Sequence, residues 1–167
     1  MEILNQQSWL WGMSLIMLTM VIHTTAVVIL TLVMVGIRMR LETLGPDLWS
    51  LIAILIGVVG VTGLLLALLH GMECGIWAMA YLWLGALDSP LDALLFSVDS
   101  MSTRGASGLT LLRPWRMMGA LEAVDGMLLF GVTTAYIFAV MQVNWSMLTG
   151  RYRRRWQGRM AKIKKPA

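Results

Sequence analysis

The sequence predicts an all-α membrane protein of one domain, with three transmembrane helices and a short re-entrant helix and loop before the last of them. Three observations carry this. Of 167 residues, 58% are hydrophobic and only 13% charged, and the mean hydropathy is +0.75. A soluble domain carries about 25% charged residues, so a chain this apolar has too little polar surface to cover itself in water. Three stretches of 25 or more residues contain no Asp, Glu, Lys or Arg. Between the second and third lies a segment too apolar for an aqueous loop and too interrupted to cross. The same composition excludes a soluble enzyme, a disordered chain and a collagen-like fibre.

The first uncharged run is Trp9 to Ile37, 29 residues. At about 1.5 Å per residue it spans a hydrocarbon layer of about 30 Å with length to spare. It is too long for the core of a cleavable leader, and neither Lys nor Arg precedes it. Leu48 to Met72 and Gly126 to Gly150 give the second and third runs, 25 residues each. Cys74 to Leu87, at 14 residues, is short for a crossing.

Charge sets the orientation. Arg38 and Arg40 follow the first run, and eight of the 13 basic residues lie beyond position 150 with no acid among them. Three crossings place both clusters on one side, which the positive-inside rule makes cytoplasmic. The N-terminus, bearing Glu2 and no basic side chain, is then outside. A fourth crossing would split the clusters between opposite faces. The segment 151–167 reads as a basic cytoplasmic tail held by anionic lipids, and nucleic-acid binding is not expected.

Residues 73–125 are left at the outer face. Cys74 to Gly85 is rich in Trp and Tyr, as interfacial segments are. It is expected to continue the second helix to about 87, bent near Gly71 or Gly75, or to lie in the headgroup layer. Asp88-Ser89-Pro90-Leu91-Asp92 is a helix-start signal: a capping Asp or Ser, an early Pro and an acid behind it. A short helix over 90–101 should follow. It ends where Ser102-Thr103-Arg104-Gly105-Ala106-Ser107-Gly108 supplies small and glycine residues that break helices. Irregular backbone at membrane depth is tolerated only where protein buries it or it lines a watery cavity. One copy cannot enclose such a cavity, so the pattern implies a symmetric oligomer.

The collinear set Glu73-x-x-Ile76-Trp77-Ala78-x-x-Tyr81 with Gly85-Ala86, Ala93-Leu94-Leu95-Phe96-Ser97-Val98, Trp115 to Ala123 and Gly126 to Gly131 through Thr134-Ala135 resembles the potassium-channel superfamily. It resembles in particular small bacterial ion-channel proteins with an extra N-terminal helix. The resemblance covers about 72–142, with a weaker likeness around Val21-Ile22-His23. It implies a homotetrameric pore-loop domain over 1–150 in a bacterial-type cytoplasmic membrane. Its helices would run over about 9–37, 48–72 with an extension to 87, and 119–149, with a pore helix over 90–101. Ser102, Thr103, Arg104, Gly105, Ala106, Ser107 and Gly108 would be the selectivity filter. Asp99, Trp115 and Glu122 would support it, and Gly126 and Gly131 would serve as gating hinges.

The family's filter reads Thr-Thr-Leu/Val-Gly-Tyr-Gly-Asp. Here Thr103 and Gly105 stand at matching positions, whereas the aromatic is Ala106, the second glycine Ser107 and the terminal acid Gly108. Such filters replace the ion's water shell with stacked backbone carbonyls. Losing the second glycine removes a backbone freedom that L-residues lack. Arg104 would sit near the axis four times over, and Asp99 is placed to pair with it. Paired, the two lock a closed loop; unpaired, Arg104 makes an anion-favouring ring.

Other polar residues in apolar context are weighed in the same way. His70 and Glu73 share a helix face. With His23 they form at most a thin metal or proton site, and packing hydrogen bonds are the expected role. Glu122 and Asp125 are expected to pair with Arg113 or Arg116. Gly57, Gly60 and Gly63 form a small-residue stripe suited to close packing. One cysteine, Cys74, excludes an intrachain disulfide and a Cys-based zinc site. No catalytic constellation and no cofactor are expected. The expected function is passive movement of inorganic ions through a homotetramer of altered, weakly selective or anion-leaning filter. The alternative is a non-conducting subunit packed among other membrane subunits.

Overall fold

The computed structural model describes residues 2–45, 47–105 and 108–163. Among these the chain forms four α-helices and one short 3-10 turn, with no strand. Helix α1 covers Glu2–Leu44, α2 Leu48–Trp83, α3 Pro90–Met101 and α4 Arg116–Ile163, and the 3-10 turn Arg113–Trp115 leads into α4. Three of these segments, Gln6–Leu44, Leu48–Trp83 and Arg113–Gln157, are long and apolar enough to cross a membrane. Large apolar side chains such as Leu32, Ile56, Leu64 and Phe130 stand well exposed along them, as suits a solvent of lipid. The protein is a multi-pass membrane protein.

The ends of the helices follow local chemistry. Gly45, with φ +59°, closes α1 through its amide to the Leu41 carbonyl. Asp47 opens α2 by accepting from the Trp49 amide at 3.2 Å and from the Ser50 hydroxyl. The Ser50 hydroxyl holds the pKa of this exposed carboxyl below its ordinary value. Helix α2 runs unbroken through Gly71 and Gly75 and stops two residues before Gly85. There Ala86 N–H reaches Tyr81 O and Gly85 N–H reaches Leu82 O, the paired bonds of a Schellman motif. Gly85 takes the required positive φ of +63° without strain.

Helix α3 is capped by Ser89, whose Oγ accepts from the Asp92 amide, with Pro90 at the first helical position. Its far end repeats the Schellman geometry: Arg104 N–H to Asp99 O and Thr103 N–H to Ser100 O. The residue at the left-handed position is now Thr103, with φ +58°. A β-branched residue there is strained. Helix α4 continues through the basic segment, so residues 151–163 are helical.

The chain divides into two compact units. Residues 1–28 and 65–134 make the first, residues 29–64 and 135–167 the second. The first has a core of Leu15, Trp77, Tyr81, Ala93, Met118, Leu121 and Leu129 with their neighbours. Trp77 and Tyr81 are fully buried there, which corrects the interfacial role expected for them; Trp83, by contrast, is exposed and stacks edge-on with Trp11. The second unit is smaller in core, with Leu41, Leu51 and Leu55 packed by Ile37, Met147 and Leu148. Among the described residues the close packing expected of the Gly57, Gly60 and Gly63 stripe is not made: a Cβ at each would meet open space.

Candidate functional site

The first unit concentrates its polar groups inside. Ser8, Thr19, His23, Glu73, Ser97, Asp99, Glu122, Asp125 and Thr133 are all buried. Burying so many polar groups in an apolar chain is costly unless each finds a partner. Three clusters partner seven of these residues, while Asp99 pairs with Arg104 and Ser8 donates to the Pro114 carbonyl.

Glu122, on α4, accepts from the Tyr81 hydroxyl of α2 at 2.6 Å and contacts the Ser97 hydroxyl of α3. Ser97 Oγ also lies 2.8 Å from the Cys74 carbonyl. One carboxyl thus ties three helices together. Asp125 stands one turn further along α4. Its Oδ2 accepts from Thr19 Oγ1 at 2.7 Å and from the Trp77 indole at 2.9 Å, bringing α1 in. The pairing expected between these acids and Arg113 or Arg116 is not made. Arg116 Nε instead points to the Leu111 carbonyl at 3.4 Å. The reason is geometric: positions 122 and 125 face inward from α4, where Tyr81, Ser97, Thr19 and Trp77 offer short uncharged donors.

The third cluster unites His23, His70, Glu73 and Thr133. His23 Nδ1 lies 3.0 Å from Glu73 Oε1, and His70 Nδ1 lies 3.2 Å from Glu73 Oε2. Thr133 Oγ1 sits 3.1 Å from His23 Nε2 and 3.0 Å from His70 Nε2. The depth of His23 in its helix matches that of the other two.

At the end of α3, Arg104 Nε pairs with Asp99 Oδ1 at 2.9 Å. The carboxylate is buried, while the Arg104 side chain is 65% exposed. Ser102 and Thr103 form the cap of α3; Gly105 and Gly108 carry positive φ values of +58° and +72°. Ala106 and Ser107 lie outside the described residues. Trp115 closes the 3-10 turn and packs against the core, and the nearby Pro114 carbonyl accepts from Ser8. Gly126 lies against the end of α3: a Cβ there would fall 2.1 Å from the Met101 carbonyl oxygen. Gly131 has open space around it.

Beside the loop is a cavity of about 490 Å³, lined by His70, Gly71, Cys74, Ser102, Thr103 and Gly126 among others. Cys74 itself is buried and directs its thiol to Met101 Sδ. Thr19 and Thr133 had no sequence signal of their own, because hydroxyl residues in apolar helices commonly bond to their own backbone; Ser97 stood out only within the stretch that carries the resemblance. Compared with protein-family models, with curated proteins and with solved structures, the chain matches none.

Proposed function

We propose that the protein is a homotetrameric pore-loop ion channel in which the loop after α3 forms an altered, non-potassium filter. One observation carries this reading most of the way. Glu73, Trp77, Tyr81, Ser97 and Glu122, which belong to the stretches resembling potassium channels, are far apart in sequence yet are each held in the buried polar clusters of one unit. Such clusters specify the seat of a short helix between long ones, and α3 with its loop is that short helix. The order long, long, short, loop, long suits a loop presented to a symmetry axis.

Within the filter-like stretch 102–108, Arg104 is the one residue with a full charge, and its exposure leaves the guanidinium available to a passing ion. Four such groups favour anions or remove cation preference. The path is passive and involves no catalytic step. In planar bilayers, the purified protein is expected to show no potassium-over-sodium preference and a weakly selective or anion-leaning conductance. Reversal potentials in a potassium/sodium gradient and then a chloride gradient measure this. A reversal at the potassium equilibrium value overturns the altered filter. The Asp99–Arg104 pair favours a second reading, in which the loop is locked shut in a non-conducting subunit; silence under every gradient would select it.

A further inference from the structure

The cluster of His23, His70, Glu73 and Thr133 has a chemistry that helix packing does not require. Its contacts alternate around a closed ring: each imidazole turns Nδ1 to Glu73 and Nε2 to Thr133. His23 and Glu73 are fully buried, and the His70 side chain is 23% exposed. Two neutral imidazoles and one hydroxyl bring three hydrogens to these four contacts, so one contact sets lone pair against lone pair whichever tautomers are taken.

A cation on the Nδ1 side removes the conflict. Both Nδ1 lone pairs and the carboxylate would bind it, and both Nε2–H groups would donate to Thr133 Oγ1, which can accept twice. A metal-bound histidine ordinarily gives its second N–H to such an acceptor. We propose that His23, His70 and Glu73 bind a divalent transition-metal ion of the zinc class inside the membrane domain, with Thr133 fixing the tautomer of both imidazoles.

Three further observations fit. One ligand atom from each of His23, His70 and Glu73 lies within 4.8 Å of the others. A tetrahedral zinc shell with bonds of about 2.0–2.1 Å puts its ligands roughly 3.4 Å apart, so small side-chain rotations close it. Glu73 Oε2 is buried and, although near His70 Nδ1, is not aligned with it for a hydrogen bond and has no other partner. Charge is balanced from close by. Asp125 has a buried, unpartnered Oδ1, and its partners Thr19 and Trp77 each stand one helical turn from His23 and Glu73. A second carboxylate thus lies one helical turn away from the ligands of the divalent charge. The donor set of imidazole and carboxylate without thiolate suits zinc, cobalt or nickel better than copper(I) or calcium. The cavity beside the loop reaches the cluster at His70.

The full chain in detergent, stripped with a chelator and titrated with cobalt(II), tests this. One cobalt per chain is expected, with the visible d–d absorption of a four- or five-coordinate ion that zinc abolishes by displacement. His70→Ala, at the least buried ligand, should remove the absorption while helicity and elution volume stay unchanged. Thr133→Val should weaken binding by about 10–100-fold with the stoichiometry kept. Folded wild-type protein that takes up no cobalt would overturn the site and leave a ring closed by one extra shared proton. Unchanged cobalt binding in both variants would place the ion elsewhere and overturn it equally.

Discussion

Asp99 holds its side chain almost out of solvent and Arg104 answers it from a side chain 65% exposed. Removing one partner from a fully buried pair costs about 3–5 kcal/mol, whereas exposed pairs are worth about 0–1 kcal/mol. A half-sheltered pair lies between, so Arg104→Ala is expected to destabilise the protein by about 1–3 kcal/mol. The double change Asp99→Val with Arg104→Leu should recover much of that loss, because neither charge is left alone. Denaturation midpoints of wild type, Asp99→Val, Arg104→Leu and the double variant in one detergent measure the coupling; strictly additive losses would mean that the two side chains act independently. The sequence marked both residues because a charge in an apolar run is conspicuous. It gave no sign that Thr103 must adopt a left-handed φ, since that strain arises only once α3 ends where it does.

At the scale of elements, the two glycines of α4 separate packing from flexibility. A Cβ at 126 would collide with backbone at the end of α3, which cannot move aside as a side-chain tip can. Gly126→Ala is therefore expected to cost at least the roughly 1–3 kcal/mol of an overpacked core and to loosen α3 from α4. Gly131→Ala meets nothing and gains helix propensity, up to about 1 kcal/mol, so its thermal midpoint should hold or rise. Equal midpoints for the two variants would show that the close approach at 126 is not what that glycine serves. Any hinge in α4 is thus better sought at 131. The start of α3 was legible in Ser89-Pro90-Leu91-Asp92, because capping is local chemistry. The extension of the second helix past residue 72 was legible as well, but not that α2 passes Gly71 and Gly75 without a break, because glycine in an apolar helix lowers propensity by less than burial of Trp77 and Tyr81 restores.

For the molecule as a whole, the long helices exceed the hydrocarbon layer. Helix α4, with 48 residues, measures about 72 Å at 1.5 Å per residue. Its far end, carrying Arg151 and Arg153 to Arg155 beside exposed Tyr152 and Trp156, has the composition of an interface anchor. The orientation expected from the basic clusters has Asn5 outside and Met160 in the cytoplasm. Asn5→Cys should react with a membrane-impermeant thiol reagent in intact cells, and Met160→Cys should not; the native Cys74 is only 6% exposed. The opposite pattern, or reaction at both, would invert or abolish this topology.

The sequence by itself determined that the chain lives in a membrane, how many helices cross it, and where the short helix begins. These depend on hydropathy, charge and capping, which sum or act along the chain and need no knowledge of what lies opposite. Which polar groups meet was decided only by tertiary structure. Each residue turns a helix face by about 100°, and lipid-facing and protein-facing surfaces are alike apolar, so no pattern announces which side of α1 or α4 looks inward. Glu122 therefore meets Tyr81 and Ser97 instead of a nearby arginine. For the same reason His23, 47 residues before His70 in the chain, comes to share its carboxylate and its hydroxyl.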